Sequence, residues 1–80
     1  MNTEILFFSA PWCGPCRMIK NSLNEDIRID LNIKIIDISE NMDIATKYEI
    51  MNVPTFVKLV DGKEVSRKIG SATVDQLKNL

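Results

Sequence analysis

Trp12-Cys13-Gly14-Pro15-Cys16 is the stretch that decides how this chain is read. It holds both of the protein's cysteines, with two residues between them. Ahead of it, Ile5-Leu6-Phe7-Phe8 is apolar without alternation, the pattern of a strand covered on both faces, and a first strand is expected over residues 4–9. Behind it, Cys16, Ile19, Leu23 and Ile27 fall on one face at helical spacing, and the spacing predicts a helix from residue 14 to about residue 26. Pro15 suits its first turn, where no amide hydrogen is needed and a fixed φ helps. The cysteine pair therefore stands where a strand turns into the N-terminus of a helix. Unpaired N–H groups and the positive end of the helix dipole both favour a thiolate there. A thiol of ordinary pKa about 8.5 so placed can fall to about 7 or below, which makes a nucleophile near neutral pH. A second cysteine one helical turn on is positioned to attack the mixed disulfide that forms. That is the chemistry of dithiol–disulfide exchange.

Two plainer readings compete. A Cys-X-X-Cys pair can be half of a zinc site, but tetrahedral zinc wants four ligands, and the chain has no third cysteine and no histidine. Carboxylates would have to complete such a site. A purely structural disulfide is the other reading, although closing so short a loop constrains little of the unfolded chain. The strand before and the helix after favour redox chemistry over both.

Eighty residues make one domain, near the lower end of what supports a core. The balance of 45% hydrophobic and 26% charged residues is that of an ordinary globular domain. A net charge of −1 gives no electrostatic case for nucleic acid or an anionic membrane. The apolar runs are strand-sized, too short for a membrane span. Met1-Asn2-Thr3-Glu4 leads into the first strand without a basic region or cleavage site, so a cytoplasmic setting is expected. There a vicinal dithiol is catalytic more often than structural.

Residues 33–38 read as a second strand, parallel to the first because a helix crosses between them. Asn41 to Glu49 reads as a short helix with Ile44, Ala45 and Tyr48 inward. Thr55 to Val60 is a third strand, and Asp61-Gly62 is a two-residue hairpin turn leading to a fourth. In that fourth strand Val65, Arg67 and Ile69 alternate with Glu64, Ser66 and Lys68, which suits an edge. Thr73-Val74-Asp75-Gln76 is a capping box opening a last helix, with Val74 and Leu77 toward the sheet. The expected fold is α/β, in the order β-α-β-α-β-β-α: four strands in a mixed sheet with helices on both faces.

The Trp-Cys-Gly-Pro-Cys segment, followed by a basic residue, Met and Ile, resembles the active site of the thioredoxin family. The resemblance continues through Lys47-Tyr48, Val53-Pro54-Thr55, residues 61–65, Ile69-Gly70 and Gln76-Leu77-Lys78, nearly the whole chain. It implies a minimal thioredoxin fold with strand order 2-1-3-4. Thioredoxins usually carry a further strand and helix before this point, so the second strand is expected to be an uncovered edge.

The resemblance also implies an activity, the reduction of protein disulfides. Cys13 is expected as the exposed attacking thiolate, Cys16 as the resolving thiol, and Trp12, Gly14 and Pro15 as the active-site turn. Gly14-Pro15 goes with a reducing potential, for which about −270 mV is the reference. Val53-Pro54 is expected to be a cis peptide facing the cysteines and freeing the Val53 backbone to pair with an extended substrate. Trp12, Ile38, Val53, Ile69 and Gly70 match an apolar rim; for Ile38 and Ile69 core packing is an equal alternative. No bound cofactor is implied: the redox group is the Cys13–Cys16 disulfide, reset by a thioredoxin reductase-like flavoenzyme using NADPH. Disulfide-containing proteins are the implied substrates, and a monomer the implied state.

Three residues depart from the family. A buried Asp usually lies six residues before the first cysteine, and Phe7 stands there. Ile35 takes the place of the Lys that commonly accompanies it, and Asn21 that of a proline that kinks the helix. The first two remove the acid–base pair proposed to take the resolving thiol's proton. Two alternatives stay open: a glutaredoxin-like enzyme reset by glutathione, and a non-catalytic thioredoxin-fold binding subunit.

Overall fold

The apolar run of β1 (Thr3–Ser9) needs cover on both sides, and it finds it. In the computed structural model, which describes residues 1–80, Ile5 and Phe7 enter one hydrophobic cluster while Leu6 and Phe8 enter another. Between these two cores β1 forms the middle of a four-stranded sheet of order β2-β1-β3-β4, with β2 (Ile33–Asp37), β3 (Thr55–Val60) and β4 (Lys63–Ile69). β2 runs parallel to β1, while β3 is antiparallel to β1 and to β4. The first cluster is closed by α1 (Gly14–Ser22), α2 (Glu25–Asp30) and α4 (Val74–Lys78), which supply Ile19, Ile27 and Leu77, with Leu23 between the first two helices. The second is closed by α3 (Met42–Lys47), through Ile44 and by Tyr48 at its end. Helices on both faces, the strand order and the uncovered β2 edge are as expected. No helix is long and apolar enough to cross a membrane.

The helix expected from residue 14 to about 26 is two helices. Cys16, Ile19 and Leu23 are buried and Ile27 packs beside them, so the apolar face is continuous although the backbone is not. The break falls at Leu23, whose φ of −96° and ψ of 85° are not helical. Asn24 then restarts the chain as an N-cap, its side chain accepting the Ile27 N–H at 2.9 Å. Arg28 reaches back, donating from Nε to the Leu23 carbonyl at 2.8 Å and from Nη2 to the Lys20 carbonyl at 3.2 Å. These fill two of the acceptors that a helix end leaves open. The element order becomes β-α-α-β-α-β-β-α.

The turns follow their residues. Asp61 and Gly62 both take positive φ, 52° and 83°, as a type I′ hairpin turn requires. The capping box at α4 is complete, with Gln76 N–H donating to Thr73 Oγ1 and Thr73 N–H to Gln76 Oε1.

The simple alternation expected in β4 is not kept. Ser66 pairs with Lys58 but Glu64 pairs with Leu59, leaving Val65 as an extra, bulged residue that is exposed. The bulge puts Glu64 and Arg67, three residues apart, on the same side of the strand. They form a bidentate pair at 2.7 and 2.8 Å, and Arg67 Nη2 also donates to the Tyr48 carbonyl at 2.9 Å. The guanidinium holds the Glu64 carboxyl below the ordinary glutamate range. A carboxyl whose pKa is depressed on folding stabilises the fold above its unfolded value and loses that contribution as pH falls through the folded one. Glu64→Gln should therefore lower stability by about 0.5–1 kcal/mol near neutrality, the scale of a partly exposed pair. Denaturant melts should show the gap constant above about pH 5 and closing as pH falls below the ordinary glutamate value of about 4.3.

Candidate active site

Where β1 ends, Ala10 begins a tight turn in which its carbonyl accepts the Cys13 N–H at 3.1 Å. This delivers Cys13 to the N-cap position of α1, with extended φ and ψ of −92° and 102°. Its Sγ accepts the backbone N–H of Cys16 at 3.2 Å, the bond a capping side chain makes. The sulfur expected to act thus lies in the field of the helix N-terminus, where negative charge is favoured. The two cysteines are joined as a disulfide, their Cα atoms 5.3 Å apart. Nowhere do three or more Cys, Asp or Glu side chains gather as a metal-binding group.

Exposure ranks the two cysteines. Cys16 is wholly buried and Cys13 keeps 7% of its surface, so Cys13 is buried too and not the exposed position expected of it, but it is the less enclosed of the pair. Around it Trp12 and Ile69 are more than half exposed, Gly70 is half-buried, and Val53 packs against the cluster that holds the cysteines. Ile69 is therefore exposed and not core, whereas Ile38 is half-buried against both clusters. The Val53-Pro54 peptide is cis. The Pro54 carbonyl accepts the Gly70 N–H at 2.9 Å, tying the two loops together, while the N–H and C=O of Val53 have no partner in the chain.

Trp12 also forms one wall of an apolar groove running to α3, lined by Ile38, Met42, Ala45, Ile50 and Met51. The two methionines, 71% and 86% exposed, were not singled out by the sequence reading. Their signal was an apolar residue at each outer flank of the short third helix, where a solvated side chain is the usual choice.

The comparisons with known proteins agree with this geometry. Residues 2–80 match the family model described as Thioredoxin. The chain belongs to the thioredoxin family. It is 40% identical over 76 residues to the thioredoxin of Bacillus subtilis (strain 168), covering 91% of this chain and 73% of that protein. Against the thioredoxin of Griffithsia pacifica it is 39% identical over 67 residues, covering 80% and 62%. The chain thus spans roughly two thirds of these relatives' length. Among solved structures, a mutant thioredoxin from Halobacterium salinarum NRC-1 superposes with a TM-score of 0.82 at 33% identity, over 96% of this chain and 69% of that one. Oxidised mitochondrial thioredoxin 3 from Saccharomyces cerevisiae gives 0.77 at 33%, over 96% and 74%. Thioredoxins are thiol–disulfide oxidoreductases, and these matches together with the paired cysteines support that activity over the glutaredoxin-like alternative.

The departures from the family pattern sit at the centre of the site. Phe7 is fully buried and stacks on Phe56 with ring centroids 4.6 Å apart. Ile35 lies directly opposite it across the β1–β2 ladder. The positions of the thioredoxin acid and its lysine are thus neighbours, and both are apolar. Restoring the acid alone, Phe7→Asp, should cost about 3 kcal/mol or more, since it removes a stacked ring and buries a carboxyl among apolar side chains. Denaturant unfolding of the oxidised protein measures this, and a loss below about 1 kcal/mol would mean that the position tolerates a carboxylate.

Proposed function

We propose that this chain is a single thioredoxin-like domain that reduces protein disulfides, Cys13 attacking and Cys16 resolving. The observation that carries the assignment is the placement of Cys13 Sγ at the α1 N-cap, hydrogen-bonded by the Cys16 amide, with Cys16 the more deeply buried of the two. In the forward step the Cys13 thiolate bonds to one sulfur of a substrate disulfide, and the other substrate sulfur leaves as a thiolate. Cys16 then bonds to Cys13 Sγ, the bond between Cys13 and the substrate breaks, and the Cys16 proton leaves with the substrate's thiol. The substrate has gained two electrons and the protein is left with its Cys13–Cys16 disulfide.

Substrate would lie along the rim of Trp12, Val53, Pro54, Ile69 and Gly70. The unpartnered N–H and C=O of Val53 suit one rung of strand pairing, which fixes an extended segment without reading its side chains. The groove beyond Trp12, with Met42 and Met51 at its mouth, would take an apolar side chain next to the substrate cysteine. Thioredoxin relatives make a flavin-dependent reductase drawing on NADPH the fitting electron donor, and a reducing compartment such as the cytoplasm the fitting setting for a monomer.

Single substitutions separate the two roles. Cys13→Ser should abolish reduction of a model protein disulfide, while Cys16→Ser should accumulate a mixed disulfide through Cys13, visible by mass spectrometry. In the reduced protein, iodoacetamide should label Cys13 first, its rate half-maximal below the ordinary thiol value of about 8.5. Preferential labelling of Cys16 would reverse the assignment. Full biological activity in a chain with both cysteines changed to Ser would point instead to a binding subunit.

A further inference from the structure

Two buried side-chain polar atoms in the molecule have no hydrogen-bond partner, Ser9 Oγ and Ser66 Oγ. Ser66 is on the edge strand β4 opposite Lys58. Ser9 is wholly buried, and it is the last residue of β1, immediately before the active-site turn. Its carbonyl accepts the Ile38 N–H at 2.9 Å, so the strand geometry holds through Ser9. Side chains two apart on a strand share a face, which puts Ser9 on the face of Ile5 and Phe7. Phe7 before it and Ala10 after it both pack in the cluster that contains Cys13 and Cys16. Strand alternation therefore turns the Ser9 side chain toward the face that α1 covers.

A buried hydroxyl left unpaired is costly, and such a group in a folded protein calls for an explanation. Cys16 supplies one. In the disulfide its sulfur is bonded to Cys13 and is a poor acceptor. Once the disulfide opens, Cys16 carries a thiol and, at the moment of attack, negative charge, at a site with no exposed surface. The apolar side chains of the cluster that holds it, among them Phe7, Ile19, Leu23, Phe56 and Leu77, cannot donate a hydrogen bond. Burial disfavours that charge unless a donor meets it. We propose that the Ser9 hydroxyl is the hydrogen-bond donor to Cys16 Sγ in the dithiol protein, and that it positions and stabilises the resolving sulfur in a site without a carboxylate. Ser9 takes no proton. The Cys16 proton still leaves with the substrate's thiol, while the O–H of Ser9 turns toward the sulfur that is gaining charge. A hydrogen bond to an ionised acceptor is stronger than one between neutral groups, so the contact strengthens during the attack.

The inference rests on Cys16 being the resolving thiol only for its kinetic part. The equilibrium part needs only that the Ser9 hydroxyl reaches the buried Cys16 sulfur in the dithiol protein, so the two readings fail separately. A bond made in the dithiol form and absent from the disulfide favours the dithiol. Removing it in Ser9→Ala should shift the equilibrium with a reference dithiol toward the disulfide by about five- to tenfold, tenfold being about 30 mV more negative. Ser9→Thr, which keeps the hydroxyl, should remain within about twofold of wild type, a bound well below the loss of one hydrogen bond. Oxidised Ser9→Ala should melt at or above the wild-type temperature, because an unpaired hydroxyl has been removed from the core. The lifetime of the mixed disulfide on Cys13 should lengthen in Ser9→Ala by a factor similar to the equilibrium shift. An unchanged equilibrium in Ser9→Ala, or an equal shift in Ser9→Ala and Ser9→Thr, would overturn the proposal. A shifted equilibrium with labelling at Cys16 first would leave the Ser9 contact standing and overturn the assignment of roles.

Discussion

The stack of Phe7 on Phe56 is the contact on which both the fold and the site depend. Phe7 sits on the central strand with Ile35 opposite on one side and Phe56 on the other, so three strands meet at one apolar point. α1, α2 and α4 all close over that point. Full burial of such a ring is worth about 1.5–3 kcal/mol in transfer terms, and a stacked pair adds about 0.5–1.5 more. The cysteines belong to the same cluster, so the reactive pair rests on the core and is not carried on a loop above it. The turn that presents Cys13 is short and starts one residue after the strand ends. Its position is consequently as well fixed as the strand itself.

The alternation of β1 explains why the site can be both rigid and accessible. Ile5 and Phe7 anchor the face under α1, and Leu6 and Phe8 anchor the opposite face under α3. With both faces held, the end of the strand is the one place where backbone leaves the sheet, and Ala10, Trp12 and Cys13 follow there. The Val53-Pro54 loop enters from the neighbouring strand at the same end, and Gly70 from the strand beyond it, held by the Pro54 carbonyl. Gly70 has a φ of 96°, a region that residues with a side chain seldom enter. Three loops from three adjacent strands thus meet at one end of the sheet.

Most of this was legible in the sequence, and the misses have physical causes. Strands, helix faces, the hairpin turn and the capping box follow from period and turn chemistry, which are local. The strand order and the cis peptide came from the family resemblance, because neither is encoded in spacing. The division of the active-site helix was missed because the apolar face runs unbroken from Cys16 to Ile27, and periodicity reports faces and not backbone continuity. Asn24 followed by Glu25 and Asp26, a cap residue ahead of two acids, was the available signal. In β4 the bulge at Val65 depends on pairing with Lys58 and Leu59, a non-local matter that alternation alone cannot reveal. The exposure of Ile69 has the same character: a strand's own pattern does not say which of its apolar residues a neighbour will cover.

Phe7 and Ser9 together give the departures from the family a single physical sense. A carboxylate at position 7 would stand at the centre of the apolar cluster, between Ile35 and Phe56, and would draw a desolvation cost from the core that holds the sheet together. An aromatic ring there turns that cost into packing. What the exchange reaction then lacks is polarity near the buried sulfur, and one hydroxyl costs less to bury than a carboxylate. Ser9 lies two residues along the same face, at the strand's end, where one hydroxyl can serve the sulfur without interrupting the stack. A hydroxyl cannot carry away a proton as a carboxylate can, so the proton must travel with the sulfur that departs. In this arrangement the aromatic stack is kept apolar, and the demand for charge stabilisation falls on one buried hydroxyl at the end of the strand.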